Sequence, residues 1–172
     1  LDDEVIFLGV KRLNNNEIWL WGYGMMAAYG LRPHECWRVE GFEWIDDIPI
    51  VNISQHSKTG DRVARPLHLR WVNEWKLTEG HPPLLNTRRN KDYGERTAKH
   101  FKSCAVGFKP YSLRHSYAIR GSILYGLPVA IMARMMGHSP EVHLKTYNRW
   151  LSADTEHQIY LSALKRISDE QI

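Results

Sequence analysis

Residues 110–147 read PYSLRHSYAIRGSILYGLPVAIMARMMGHSPEVHLKTY and carry the clearest helix signals in the chain. Pro110 suits the first turn of a helix, because a residue there needs no backbone N–H partner. The helical pattern that follows extends to Leu124. The run Gly126-Leu127-Pro128 then interrupts it, so we predict a helix over residues 110–124.

A second helix is predicted over residues 128–136, and it stops at Gly137, a residue type that commonly ends helices. Beyond this glycine, residues 141–146 form a short helix or turn. That segment carries Tyr147, nine residues after His138.

Three short β-prone runs precede this region, separated by Asp46-Asp47 and by Lys58-Thr59-Gly60-Asp61. They cover residues 42–45, 48–54 and 62–67. The turn residues between them predict a three-stranded antiparallel meander with Lys58 at its second turn.

Bulky apolar residues recur at helical spacing from Glu17 to Tyr29, and Gly30 provides the stop. Arg32 should therefore lie just beyond a helix end. Further helices are predicted over residues 69–77, 92–106 and 154–167, the last one amphipathic, and residues 78–90 read as a loop. The fold class is α+β and mainly helical, with a small three-stranded antiparallel sheet near the N-terminal third.

Length and charge limit the number of domains and indicate the kind of partner. The chain of 172 residues is 43% hydrophobic, which suits one buried core and makes a second full domain unexpected. Its net charge of +4 and pI near 9.1 favour a polyanionic partner, although many proteins are equally basic.

The sequence predicts a cytoplasmic protein with no membrane association. Cys36 and Cys104 form no CxxC pair, so neither a disulfide framework nor a zinc ribbon is indicated. The apolar run over residues 127–136 is too short to cross a bilayer, and the acidic N-terminus lacks the basic region of a signal peptide. Because the chain begins with Leu1, we expect it to be a fragment of a longer protein.

Several residues suit the chemistry of a phosphodiester, whose attack concentrates negative charge on the non-bridging oxygens. Arginine binds two of these oxygens at once and stays charged, and a phenol can attack if a base or strong electrostatics assist it. Taken singly, each candidate has an ordinary alternative. Tyr147 is one of eight tyrosines, Arg32 suits a helix C-cap, Lys58 suits an exposed turn, and a buried Arg114 could pair with a structural carboxylate.

The ordered set is more specific than its members. Gly30-Leu31-Arg32, the turn lysine Lys58, Tyr111-Ser112-Leu113-Arg114-His115, Gly137-His138 and Tyr147 together resemble the tyrosine recombinase (phage integrase) family. That family has Gly-Leu-Arg, a β-hairpin lysine, His-x-x-Arg, Gly-His and a tyrosine nine positions later. The resemblance covers roughly residues 15–165, and it implies that residues 1–172 form the catalytic domain, without the N-terminal core-binding domain.

The resemblance implies a role for each matching residue. Tyr147 joins a DNA 3′-phosphate and releases a 5′-hydroxyl, while Arg32 and Arg114 clamp the scissile phosphate. His138 hydrogen-bonds that phosphate, and Lys58 protonates the leaving 5′-oxygen. Rejoining by a second 5′-hydroxyl requires neither ATP nor a metal or other cofactor.

Tyr111 departs from the family pattern, which usually has histidine at this position. A tyrosine can hydrogen-bond phosphate, but its pKa makes it a poorer base than imidazole near neutral pH. Either Tyr111 substitutes with some loss of rate, which we favour, or this copy is impaired.

Other residues are expected to support the site or contact DNA. Glu35 suits a carboxylate that orients Arg32, although a surface role is equally compatible, and His115 suits helix packing or support of the catalytic residues. The basic residues expected on backbone phosphates are Arg62, Arg65, Arg88, Arg89 and Lys91.

Two other classes of function compete with this interpretation. Nine histidines suggest a metalloenzyme, but there is no HExxH, and His138 and His143 are five apart, off a common helical face. The second alternative is a DNA-binding recombinase relative with reduced or no cleavage activity, caused by Tyr111 in place of the usual histidine. A topoisomerase of the same mechanistic type is a closer rival.

The resemblance also bears on partners. The partner is double-stranded DNA, on which the full-length protein would assemble as a tetramer, whereas the isolated fragment would be a monomer that binds weakly. The C-terminal helix over residues 154–167 could dock on a neighbouring protomer or pack on its own domain.

Overall fold

The computed structural model describes residues 1–13, 16–53, 61–80, 89–147 and 153–169, without the side chains of residues 155, 158 and 166–169. Helix α1, Asp3–Lys11, has Asp2 as its N-cap, whose side chain accepts from the Val5 N–H at 2.8 Å. The sequence patterns had not indicated this helix. An ion pair between Asp3 and Arg120 joins it to the middle of the chain.

Helix α2, Glu17–Tyr29, is confirmed with the predicted bounds, and it is buried from Trp21 onward. Gly30 ends it with φ of +66°, a conformation that L side chains rarely adopt. A Cβ at this glycine would lie 2.3 Å from the ring of Tyr117. The chain therefore turns here with a helix packed against it, and Arg32 follows at the helix end, as predicted.

The predicted antiparallel sheet is confirmed, in the order β1-β2-β3. Its strands are β1 Glu43–Ile45, β2 Ile48–Ile53 and β3 Arg62–Ala64. Asp46 and Asp47 both have positive φ, 48° and 61°, which suits the two-residue hairpin turn between the first two strands. Strand β3 ends earlier than expected, before Pro66, which has no N–H to donate. The second turn, with Lys58, lies outside the described residues.

Helices α3, Leu69–Glu74, and α4, Asn90–Ser103, follow. Helix α5, Pro110–Ile119, has proline in its first turn and continues as a π-helical turn, Arg120–Leu124, so the helix predicted over residues 110–124 is present with a wider last turn.

Helix α6, Val129–Met136, ends at Gly137, whose φ of +64° confirms the predicted stop. Helix α7, Pro140–Tyr147, carries Tyr147 at its end, and helix α8, Ala153–Asp169, covers the predicted terminal helix.

The core lies mainly between α2 and α5. Tyr23 of α2 is fully buried, stacks on Phe101 at 5.5 Å and donates to the Ile6 carbonyl at 2.6 Å. A second apolar cluster contains Tyr117, Met132 and Tyr147. The candidate tyrosine is therefore built into the core packing of α5 and α6.

The described helices include none that is both long and apolar enough to cross a membrane.

Candidate active site

Three arginines meet at the C-terminal end of helix α6. The Arg62 Nε donates to the Met135 carbonyl at 3.0 Å, an Nη of Arg114 to Met136 at 2.5 Å, and an Nη of Arg32 to Gly137 at 2.8 Å. The last carbonyls of a helix lack partners within it and carry its negative dipole end. Three guanidinium groups from different parts of the chain satisfy them.

Arg114 also ties this helix end to α2. Its other Nη donates to the Gly30 carbonyl at 2.5 Å, and its side chain is 1% exposed. Burial, followed by the charge of Arg32, lowers the pKa of Arg114 to about 10. The group therefore still carries its positive charge at neutral pH.

Among the described residues, Glu35 supplies the carboxylate that hydrogen-bonds to these arginines. It accepts from the Arg32 side chain and backbone N–H at 2.7 Å each, and from both Nη atoms of Arg62 at 3.0 and 2.7 Å. Burial alone would raise its pKa, but the hydrogen bond and charge of Arg62, with the charge of Arg32, outweigh burial and hold the pKa at about 2. The predicted proximity of Glu35 to Arg32 is present as these two hydrogen bonds.

The cluster keeps a surplus of positive charge, since three guanidiniums share one carboxylate. Arg32 is the most accessible of the three, with 18% of its side chain exposed, against 3% for Arg62 and 1% for Arg114. An anion would be attracted to such a site, because it would neutralise the positive charge that remains after Glu35 has balanced one of the guanidiniums.

Arg62 lies elsewhere than expected. It had been predicted to contact DNA phosphates, but its guanidinium is buried and is used by Glu35 and by the end of α6. That prediction is corrected to an internal role, in which Arg62 holds the carboxylate that also binds Arg32.

His138 follows Gly137 and forms a hydrogen-bonded chain with two further side chains. Its Nε2 lies 2.9 Å from the Nδ1 of His143, and the Nε2 of His143 lies 2.8 Å from the Oγ of Ser122. Burial, followed by the charge of Arg114, lowers the pKa of His138 to about 4. The pKa of His143 is also lowered, by the same causes. Both imidazoles are therefore neutral at pH 7.

The contact between His138 and His143 had not been predicted, and the inference that they lie on different faces was wrong. The rule of helical faces assumes that both residues belong to one helix. Helix α7 begins only at Pro140, and the left-handed Gly137 turns His138 back toward it. No local sequence signal identifies such a pair.

Tyr147 is 6% exposed, and its ring is surrounded by imidazoles. Its phenol oxygen lies 3.2 Å from the Nδ1 of His115 on α5. The ring centroids of His143 and His138 lie 4.7 and 6.4 Å from that of Tyr147. His115, expected to serve helix packing or to support the catalytic residues, therefore contacts the candidate nucleophile directly.

Tyr111 begins α5 and is 43% exposed. Its ring meets that of His115 edge to face at 5.3 Å. The residue at the unusual position thus lies at the surface, next to the imidazole that reaches Tyr147.

The remaining candidates lie at the surface or outside the described residues. Arg65 is exposed; Arg89 and Lys91 pair with Asp92 and Glu95 on α4, and each is 82% exposed. Lys58 and Arg88 lie outside the described residues. In the described part of the chain, no group of three or more His, Cys, Asp or Glu side chains is arranged to hold a metal ion.

No protein-family model matches the chain. Two curated proteins from Nostoc sp. (strain PCC 7120 / SAG 25.82 / UTEX 2576) are similar to it in sequence. Excisase A is 33% identical over 171 residues, covering 91% of this chain and 36% of Excisase A. Excisase C is 29% identical over 189 residues, covering 92% of this chain and 37% of Excisase C. The chain thus spans little more than a third of the length of these relatives.

Among solved structures, the fold is similar to that of the site-specific recombinase XerH, crystallised with a palindromic difH substrate as a post-cleavage complex. The TM-score is 0.54 at 13% sequence identity, and the match covers 86% of this chain and 49% of the XerH chain. That likeness shows the fold. The chain is thus similar in sequence to two excisases and in fold to a site-specific recombinase.

Proposed function

We propose that residues 1–172 form the catalytic domain of a site-specific DNA recombinase that cleaves and rejoins strands through a 3′-phosphotyrosyl intermediate at Tyr147. One observation carries this proposal: Arg32 and Arg114, far apart in sequence, converge by hydrogen bonds on the helix end that precedes His138 and Tyr147. Cations with fixed geometry beside a phenol are what phosphodiester attack requires.

In this mechanism the Tyr147 oxygen attacks the scissile phosphorus and the bond to the 5′-oxygen breaks. Arg32 and Arg114 stabilise the charge that grows on the non-bridging oxygens, and their contacts with helix-end carbonyls hold them in place beforehand. Glu35 fixes Arg32 through two hydrogen bonds.

His138 would hydrogen-bond the phosphate as a neutral imidazole, consistent with its low pKa. Lys58 would protonate the leaving 5′-oxygen, a role that rests on the family resemblance. The intermediate keeps the energy of the phosphodiester, so a second 5′-hydroxyl can reverse the step without ATP, and the arginines supply the charge that a metal would otherwise bring.

The substrate would be double-stranded DNA, held through its backbone by the exposed basic residues Arg65, Arg89 and Lys91, together with Arg88. The net charge of +4 supports such a partner, and so does the likeness to XerH, which was crystallised with its difH substrate. Target choice and assembly as a tetramer on DNA belong to the full-length protein.

The alternative is a recombinase relative that binds DNA with reduced or no cleavage. One observation favours it: Tyr111, where the family usually has histidine, is 43% exposed instead of being enclosed by the site.

Trapping of a covalent adduct on a nicked suicide duplex distinguishes the two. The full-length protein is compared with its Tyr147→Phe variant, and with Tyr160→Phe, an exposed tyrosine on α8, as the matched control. We expect the unmodified protein and Tyr160→Phe to form the adduct and Tyr147→Phe to form none. An adduct that persists in Tyr147→Phe, or no adduct in the unmodified protein, would refute the proposed cleavage.

A further inference from the structure

We propose that His115 is the general base that removes the proton from Tyr147 in strand cleavage and returns it in rejoining. This inference rests on the proposed function and adds a catalytic residue to it. Its basis is the 3.2 Å separation between the Nδ1 of His115 and the phenol oxygen of Tyr147. That distance is at the limit of hydrogen-bond reach expected of a base and its proton in a site without substrate.

The orientation of the two rings fits this role. They meet at 65° with centroids 5.6 Å apart, an edge arrangement compatible with the contact between the imidazole Nδ1 and the phenol oxygen. Helix α5 also places His115 directly after Arg114, so the base and the buried cation come from one rigid element. Proton removal and charge stabilisation would then act on the same reacting oxygen and phosphate.

The other imidazoles near Tyr147 have hydrogen bonds to partners other than its phenol oxygen. His143 has one ring nitrogen against His138 and the other against Ser122, and the Nε2 of His138 is held by His143. Among the imidazoles that the structure describes around Tyr147, His115 is the one with a ring nitrogen on the phenol oxygen.

The position of Tyr111 is also consistent with His115 as the base. Where the resembled family usually has histidine, this chain has a half-exposed phenol whose ring packs on the edge of His115. A phenol is a poor proton acceptor near neutral pH. The base has thus moved one helical turn along α5, and residue 111 supports it.

Each proton and each bond in the proposed step has a defined destination. The Tyr147 O–H proton passes to the unprotonated Nδ1 of His115 while the phenol oxygen forms its bond to phosphorus. The bond from phosphorus to the 5′-oxygen breaks, and that oxygen leaves with a proton from the acid, proposed as Lys58. In rejoining, the 5′-hydroxyl oxygen bonds to phosphorus and gives its proton to the deprotonated Lys58, while the bond from phosphorus to Tyr147 breaks and the phenol oxygen takes back the proton held by His115.

The test is single-turnover cleavage of a nicked duplex by the full-length protein, with an ordinary 5′-oxygen or a bridging 5′-sulfur at the scissile position. A sulfur leaving group needs no protonation, so it restores variants that lack the acid but not those that lack the base. We expect His115→Asn and His115→Ala to lose about 10²- to 10⁴-fold in rate on both substrates, the range for general base catalysis. Lys58→Ala should lose rate on the oxygen substrate and recover on the sulfur substrate.

Recovery of the His115 variants on the sulfur substrate would overturn the proposal, as would a loss of less than about threefold on both, far below a general base contribution. Circular dichroism establishes whether the variants fold. If neither folds, the ¹⁵N chemical shift of the His115 Nδ1 in the unmodified protein decides, because a protonated Nδ1 in the neutral ring excludes the base role. If the unmodified protein forms no Tyr147-dependent adduct, the proposed function itself fails, a different outcome.

Discussion

Replacing Glu35 by glutamine should destabilise the fold strongly, although the change leaves the size of the side chain unaltered. The carboxylate accepts four hydrogen bonds from Arg32 and Arg62. An amide carries no charge and turns its NH₂ group toward a guanidinium. The variant therefore leaves buried positive charges without their counter-ion.

The expected magnitude follows from the pKa of Glu35. The difference between an ordinary carboxyl pKa of 4.5 and one of about 2 corresponds to roughly 3 kcal/mol of stability. Loss of one partner from a buried ion pair gives a similar figure, about 3–5 kcal/mol. We expect Glu35→Gln to lower the free energy of unfolding by about 3 kcal/mol at pH 7.

The pH dependence gives a second check. The folded pKa of Glu35 lies below the unfolded value, so its contribution is complete above pH 4.5 and is lost as the pH falls toward about 2. The difference between the unmodified protein and Glu35→Gln should therefore be largest at neutral pH and shrink below pH 4.5.

Urea unfolding followed by circular dichroism between pH 7 and pH 3 measures both quantities. Glu79→Gln, at an exposed glutamate, is the matched control and should change the free energy of unfolding by less than about 0.5 kcal/mol. A loss below about 1 kcal/mol for Glu35→Gln at pH 7, the range of exposed pairs, would refute the reasoning, as would a difference that does not vary with pH.

Three further outcomes are expected. Gly30→Ala should cost about 3 kcal/mol in urea unfolding, because a Cβ meets the Tyr117 ring at 2.3 Å and the backbone is left-handed; a cost below about 1 kcal/mol would contradict this. His143→Ala should slow single-turnover cleavage about tenfold, because His138 loses its hydrogen-bond partner, and an unchanged rate would exclude a positioning role. Tyr111→His should raise the rate of adduct formation by up to about tenfold, since an imidazole, a better base than a phenol, then lies beside His115, and no gain would argue against a catalytic deficit at position 111.

Local sequence signals predicted most of the elements. Gly30 and Gly137 mark helix ends because a left-handed backbone favours a residue without a Cβ. Asp46-Asp47 marks a hairpin because aspartate tolerates the positive φ that a two-residue turn requires. Pro110 marks a helix start. Each of these signals depends on the conformation of one or two residues, which is why sequence alone reveals it.

The parts that escaped prediction depend on contacts that form only in the folded chain. Arg62 resembled a surface cation until the fold paired it with Glu35, and the pairing of His138 with His143 depends on the turn at Gly137. Helix α1 is held by an ion pair between Asp3 and Arg120, which are far apart in the sequence. Spacing along the chain carries no information about such pairs.

The three arginines at the end of α6 donate to backbone carbonyls, and none of these hydrogen bonds involves a side chain of residues 135–137. Core packing alone should therefore limit which residues can replace Met135 and Met136, and many apolar side chains should be compatible with the fold. An insertion or deletion of one residue in α6 would move every carbonyl by about 100° around the helix axis and separate all three cations from their partners together. The length of this helix, more than its composition, is therefore what natural variation at the site must preserve.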